Sequence, residues 1–187
     1  VSREEAERWL FEAADAIEVA HEHGVIHRDL KPDNLFLCDG GALKVLDFGI
    51  AKLMEGKSNT VTGQMMGTPH YMSPQQIVNI KLVDHRTDIY SLGIVSIEVL
   101  TGQKAIQGKD RMIVIQRQIS PEPIPLPPHV KVPQRLRDIV ERLVQKEAHL
   151  RYGSASEVLR DLQNWNSVPD SPPTEPITIP AEGEERT

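Results

Sequence analysis

Residues 88–100 are apolar on nearly every side of a helix, with Ile89, Leu92, Ile94, Val95, Ile97, Val99 and Leu100 in one short run. A helix of that kind sits in the middle of a domain with other elements wrapped round it. It cannot be a membrane span. Its most apolar part, 94–100, is interrupted by Ser96 and Glu98 and falls far short of the ~20 residues a bilayer needs. Gly102 ends it. The rest of the chain supplies the partners. Ser2 and Glu5 read as a capping box. Ala6, Trp9, Leu10, Ala13, Ile17 and Ala20 then recur at helical spacing until Gly24. Residues 111–119 read as a short helix. Residues 134–146 read as an amphipathic one, with Leu136, Ile139, Val140, Leu143 and Val144 on one face. Ser154 and Glu157 cap a last helix carrying Val158, Leu159, Leu162 and Trp165. Two short strands, 35–37 and 43–46, flank Cys38-Asp39-Gly40-Gly41 as a hairpin. Residues 50–76 lack periodicity and read as a long loop. Residues 121–133, with six prolines, read as an extended connection. The expected fold is mainly α, of the α+β type: a helical bundle around a buried central helix, with one small hairpin.

At 187 residues this is one domain or one lobe of a larger one. We expect the folded unit to cover 1–166. Residues 167–187 hold five prolines and five acidic residues with little to bury, and the expectation there is a disordered tail. A net charge of −6 argues against nucleic acid as a partner. A lone cysteine, Cys38, excludes an internal disulfide and fits a reducing compartment. The expected location is cytoplasmic, with an anchor outside these residues not excluded. His21, His23 and His85 read as surface or capping groups, since no histidine shows metal-ligand spacing.

The chemistry lies in two strings, His27-Arg28-Asp29-Leu30-Lys31-Pro32-Asp33-Asn34 and Asp47-Phe48-Gly49. Phosphoryl transfer needs a group to orient the attacking hydroxyl, metal on the phosphates and positive charge against developing negative charge. Asp29 can take a hydroxyl proton. Lys31 can meet a phosphate as a point charge. Asn34 and Asp47 offer oxygen donors to Mg²⁺.

These strings resemble the catalytic loop and the D-F-G element of eukaryotic-type protein kinases. The resemblance continues through Gly67-Thr68-Pro69-His70-Tyr71-Met72-Ser73-Pro74-Gln75, which looks like the substrate-docking loop and the A-P-E element. It continues again through Asp84-His85-Arg86-Thr87-Asp88, which looks like the start of the central helix. The wording is similar to bacterial Ser/Thr kinases. The resemblance implies a kinase C-terminal lobe with ATP and Mg²⁺ as ligands and protein Ser/Thr as substrate. It implies Asp29 as catalytic base and Lys31 on the γ-phosphate. Asn34 and Asp47 would hold Mg²⁺, and Phe36 would lie under the adenine. His27 and Phe48 would stack, and Asp88 would accept from the catalytic-loop backbone. Thr68 would serve substrate docking. Arg28 would pair with a phosphate on Ser58, Thr60 or Thr62, a modification that adds about 1.5 to 2 negative charges.

Two departures from the pattern matter. A kinase N-lobe supplies a Gly-rich loop, a strand lysine and a helix glutamate. Here the first lysine is Lys31 and the only glycine before His27 is Gly24. The expectation is a C-lobe alone, inactive until the N-lobe is supplied. Second, Gln75 stands where the family has glutamate, so its expected partner Arg151 keeps a hydrogen bond but loses an ion pair, and Gln75→Glu should stabilise. The alternative function is a non-catalytic docking module for a kinase or its substrates.

Overall fold

The computed structural model describes residues 2–48 and 68–164. Helix α1 (Arg3–Glu22) starts at the capping box: the Glu5 amide donates to Ser2 Oγ at 3.1 Å and the Ser2 amide to Glu5 Oε2 at 2.8 Å. Its buried stripe is Ala6, Leu10, Ala13, Ala14 and Ile17. Trp9 and Ala20 are half-buried at its margins. The strands β1 (Leu35–Leu37) and β2 (Leu43–Val45) pair antiparallel, Phe36 opposite Lys44. The turn between them needs Gly40 and Gly41, at φ +93° and +83°. Strand β2 ends at Val45, one residue before the sequence predicts, although the Leu46 amide still donates to Asn34 O at 2.8 Å, one rung further along the same register.

Helix α2 (Pro74–Val78) corrects the expectation of a loop running to residue 76. Ser73 Oγ accepts from the Gln76 amide and Gln76 Oε1 from the Ser73 amide, and Pro74 sits where a missing N–H costs nothing. Of residues 50–76, those from 68 on are described. Helix α3 (Arg86–Thr101) is the central element. Every residue from Thr87 to Ile97 is buried, and Gly102 at φ +68° closes it. Helix α4 (Arg111–Ile119) is capped by Asp110. Helix α5 (Gln134–Leu143) ends three residues short of the predicted 146. The chain turns there to send Lys146 and Arg151 inward. Helix α6 (Ala155–Asn164) closes the bundle. The expected tail, and Trp165, lie outside the described residues.

Packing follows the all-round apolar surface of α3. Helix α1 lies against α3, α6 and β2, and α5 lies against α3. Gly93 sets the α3–α5 approach: a Cβ there would stand 2.6 Å from Leu143 Cβ and 2.7 Å from Val144 Cγ1. The proline-rich connection is held by Arg137 of α5, whose guanidinium donates to Val130 O at 2.8 Å and also to Leu126 O. Its carbonyls thus find a donor although the segment forms no helix or strand. Among the described residues no helix is long and apolar enough to cross a membrane.

Candidate active site

Gly24, at φ +72°, turns the chain out of α1 and sends residues 25–31 back over the N-terminal end of α3. What fixes this loop is Asp88, which is 0% exposed. Its Oδ2 accepts from the His27 amide at 2.7 Å and its Oδ1 from the Arg28 amide at 2.8 Å. His21 Nε2 lies 2.9 Å from the same carboxylate. That corrects the reading of His21 as a surface group. It is the third hydrogen-bond partner of a buried carboxylate, whose oxygens would otherwise be less fully paired. His23 and His85 do cap carbonyls, of Val19 at 2.7 Å and Gly153 at 2.7 Å.

His27 is fully buried, and its neighbours fix its tautomer. The Asp29 amide donates to Nδ1 at 3.2 Å, so the proton sits on Nε2, which donates to Leu46 O at 2.9 Å. The ring lies 4.9 Å from that of Phe48. One imidazole thereby joins the 27–29 loop to the segment entering Asp47. Leu30 turns fully into the core. Lys31 Nζ meets Asp29 Oδ2 at 3.2 Å. The turn Pro32–Asn34 brings Asn34 back under the loop, where Nδ2 donates to Asp29 O at 2.8 Å. Committing the amide nitrogen in this way leaves Oδ1 as the oxygen to offer a cation. The Leu46 to Asn34 backbone bond then sets Asp47 one residue from that turn.

Among the described residues, the non-glycine residues with positive φ are Arg28 (+63°) and Asp47 (+53°). Such backbone costs on the order of 1–2 kcal/mol per residue and persists where the surroundings over-determine it. Both are residues the sequence singled out. Asp47 is exposed. Phe36, also exposed, stands on β1. No group of three or more His, Cys, Asp and Glu among the described residues could hold a metal by itself. Asn34 and Asp47 are a hard, partial donor set. That fits Mg²⁺, which keeps waters and substrate oxygens in its other positions.

Thr68 opens the second described segment, residues 68–164. It is half-buried, and its carbonyl accepts from the Tyr71 amide at 3.3 Å. The segment is pinned to α3 by Ser91 Oγ donating to Tyr71 O at 2.7 Å and by Ser73 Oγ at 2.6 Å from Thr87 Oγ1. Tyr71 donates its hydroxyl to Glu98 at 2.8 Å; burial first, then that carboxylate, push its pKa up. Gln76 Nε2 donates to Arg28 O at 2.8 Å and so ties α2 to the loop carrying Asp29. Arg151 Nη2 donates to Gln75 Oε1 at 2.8 Å. Gln75 Nε2 donates in turn to Lys146 O at 2.9 Å. A glutamate at 75 would add charge opposite Arg151 but lose that donor, so the gain expected from Gln75→Glu shrinks. Ser58, Thr60, Thr62 and Gly49 lie outside the described residues. Sequence reasoning missed Gln76 and Gln118. For Gln76 a signal existed, in the Ser73-x-x-Gln76 spacing of a capping box. For Gln118 none did, since its partners come from distant segments.

Comparisons with known proteins bear on this arrangement. A family model described as the protein kinase domain matches residues 1–162. A probable serine/threonine-protein kinase of Clostridium perfringens is 38% identical over 159 residues, which is 84% of this chain and 23% of that protein. The serine/threonine-protein kinase PknB of Mycolicibacterium smegmatis is 37% identical over 168 residues, 87% of this chain and 27% of that protein. PknA of Mycobacterium tuberculosis is 35% identical over 145 residues, 78% of this chain and 33% of that protein. The chain thus spans between 23% and 33% of the length of these relatives. With the family model over most of its length and the loop geometry above, the chain belongs to the protein kinase family, among kinases of the bacterial serine/threonine type.

Proposed function

We propose that these residues are the catalytic-loop half of a Ser/Thr protein kinase, transferring the γ-phosphoryl group of ATP to a protein hydroxyl once an N-lobe is supplied. One observation carries the reading. Asp29, Lys31 and Asn34 share a single hydrogen-bonded loop whose backbone hangs on the buried carboxylate of Asp88. Asp29 accepts the proton of the Ser or Thr hydroxyl as its oxygen bonds to the γ-phosphorus. The bond from that phosphorus to the bridging oxygen breaks, and ADP leaves. Lys31 lies beside the transferred group and offsets its charge. Asn34 and Asp47 would hold Mg²⁺, which when bound draws negative charge off the phosphates. Phe36 supplies an exposed flat face for the adenine. Arg28 Nε is buried without a hydrogen-bond partner among the described residues, which suits a phosphate acceptor from the 58–62 segment. We place this chemistry in the cytoplasm, where ATP is and where Cys38 stays a free thiol.

The Gly-rich loop, strand lysine and helix glutamate of a kinase N-lobe are not among the 187 residues. The chain alone should therefore turn over ATP at background. The test joins it to the N-lobe of a relative such as PknB and measures phosphate transfer to a Ser/Thr protein substrate. Transfer should appear, and Asp29→Asn should lower it by about 10²–10⁴ without moving the melt. A joined protein that binds substrate but never transfers phosphate would favour the docking-module reading.

A further inference from the structure

Gln118 sits in the last turn of α4 and is 0% exposed. Nothing in the chemistry above uses it. Its Nε2 donates to Pro69 O at 3.0 Å and to His70 O at 2.9 Å. Its Oε1 accepts from the hydroxyl of Tyr90, itself fully buried on α3. One side chain therefore meets two consecutive carbonyls of the turn that follows Thr68 and fastens them to the central helix. The residue type suits the task. A buried amide offers two donors and an acceptor without charge. Glutamate cannot donate twice, arginine would bury a charge, and leucine would leave two carbonyls and a hydroxyl without partners.

The end of α4 is itself held in place. Lys146 Nζ donates to Arg117 O at 3.0 Å and Gln118 O at 2.9 Å. The carbonyl of Lys146 accepts from Gln75 Nε2 and from Arg151 Nη2, both at 2.9 Å. The Arg151 guanidinium lies over the Tyr90 ring at 4.7 Å. The circuit runs from the Thr68 turn through α2, Lys146 and α4, and returns to the turn at Gln118.

We infer that Gln118 is a positioning residue that sets the shape of the 68–71 turn, and through it the seat of the protein substrate rather than that of the nucleotide. This rests on the kinase reading given above. The test uses Gln118→Leu, with Gln118→His, which restores one donor, as the milder variant. In the 187-residue chain, hydrogen exchange at the His70, Tyr71 and Met72 amides should rise about tenfold in the leucine variant, in line with the loss of a buried hydrogen bond. Residues 92–97 should stay protected, and the histidine variant should fall between. In the chain joined to an N-lobe, KM for the protein substrate should rise about tenfold while KM for ATP stays put. Unchanged exchange at the turn, or exchange rising equally in the turn and α3, would overturn the assignment. So would a loosened turn with an unchanged substrate KM. If the unmutated joined protein transfers no phosphate, the kinase reading falls and the exchange result alone decides whether Gln118 shapes the turn.

Discussion

Leu37 on β1 and Leu92 on α3 are the same residue with opposite fates: the first is 45% exposed and the second 1%. The hairpin and the residues after it leave Phe36, Leu37, Leu46 and Asp47 exposed to solvent, whereas α3 is buried from Thr87 to Ile97. The two regions nonetheless meet at a few polar joints. Asp88 holds the loop backbone, and His27 holds the segment before Asp47. The groups proposed to act on substrate must stay reachable, so they cannot be fixed by burial alone. They are fixed instead by hydrogen bonds to a helix that is. Rigidity is borrowed from the core through a small number of side chains.

Breaking the largest joint should show this most clearly. Asp88→Ala leaves two buried amides and His21 without their acceptor. We expect a loss of about 3–5 kcal/mol of stability, since each buried donor left without an acceptor costs about 1–3 kcal/mol, read as a fall in urea midpoint. If the loss stays below about 1 kcal/mol, the loop is held by its own turn geometry and the borrowing argument fails.

Much of this division was legible in the sequence. The all-round apolar run at 88–100 could only be a core helix. The capping box at Ser2 and Glu5 placed α1, and Gly102 placed the end of α3. The spacing of Asp29, Lys31, Asn34 and Asp47 put them forward as one candidate site, and the structure joins the first three in a single hydrogen-bonded loop. The joints were less legible, because they link residues far apart in the chain. His21 to Asp88 spans 67 positions and Gln118 to Pro69 spans 49. A histidine near a helix end looks the same whether it caps a carbonyl or braces a carboxylate. The end of α5 was misplaced for a related reason. Val144 continues the apolar face, but the chain must turn there so that Lys146 can reach the carbonyls of α4.

Lys146 belongs to neither extreme and sharpens the comparison. Burial, and then the nearby Arg151 charge, pull its pKa from 10.5 to about 8. The folded chain therefore releases a proton near pH 8 that the unfolded chain keeps until 10.5. Stability should rise with pH across that window, since the unfolded state binds more protons there. Lys146 is partly exposed, so solvent screening cuts the full linkage to about 1 kcal/mol. Arg151, pulled down to about 10 by burial, adds to the rise only near the top of the window. Tyr71, Tyr90 and Tyr152, whose pKa values burial raises, oppose it above pH 10. Urea midpoints from pH 8 to 10 should climb in the native chain and stay flat in Lys146→Met. A climb that survives the substitution would place the titrating group elsewhere.

Phe36→Ser tests the other pole and should do the least. The ring is 55% exposed, and its cross-strand neighbour is Lys44, an exposed side chain on a two-stranded sheet. Removing a mostly solvated side chain outside the packed interior changes stability by about 0.5 kcal/mol or less. The serine keeps the backbone ladder to β2, so the hairpin itself should persist. A melt shifted by less than 3 °C, about the size of such a change in a domain of this length, would mark Phe36 as a residue held out for a ligand rather than for the fold. A loss near that of a core phenylalanine, about 3–5 kcal/mol, would mean that the hairpin closes onto the bundle in solution. The contrast between exposed chemistry and buried support would then need redrawing at β1.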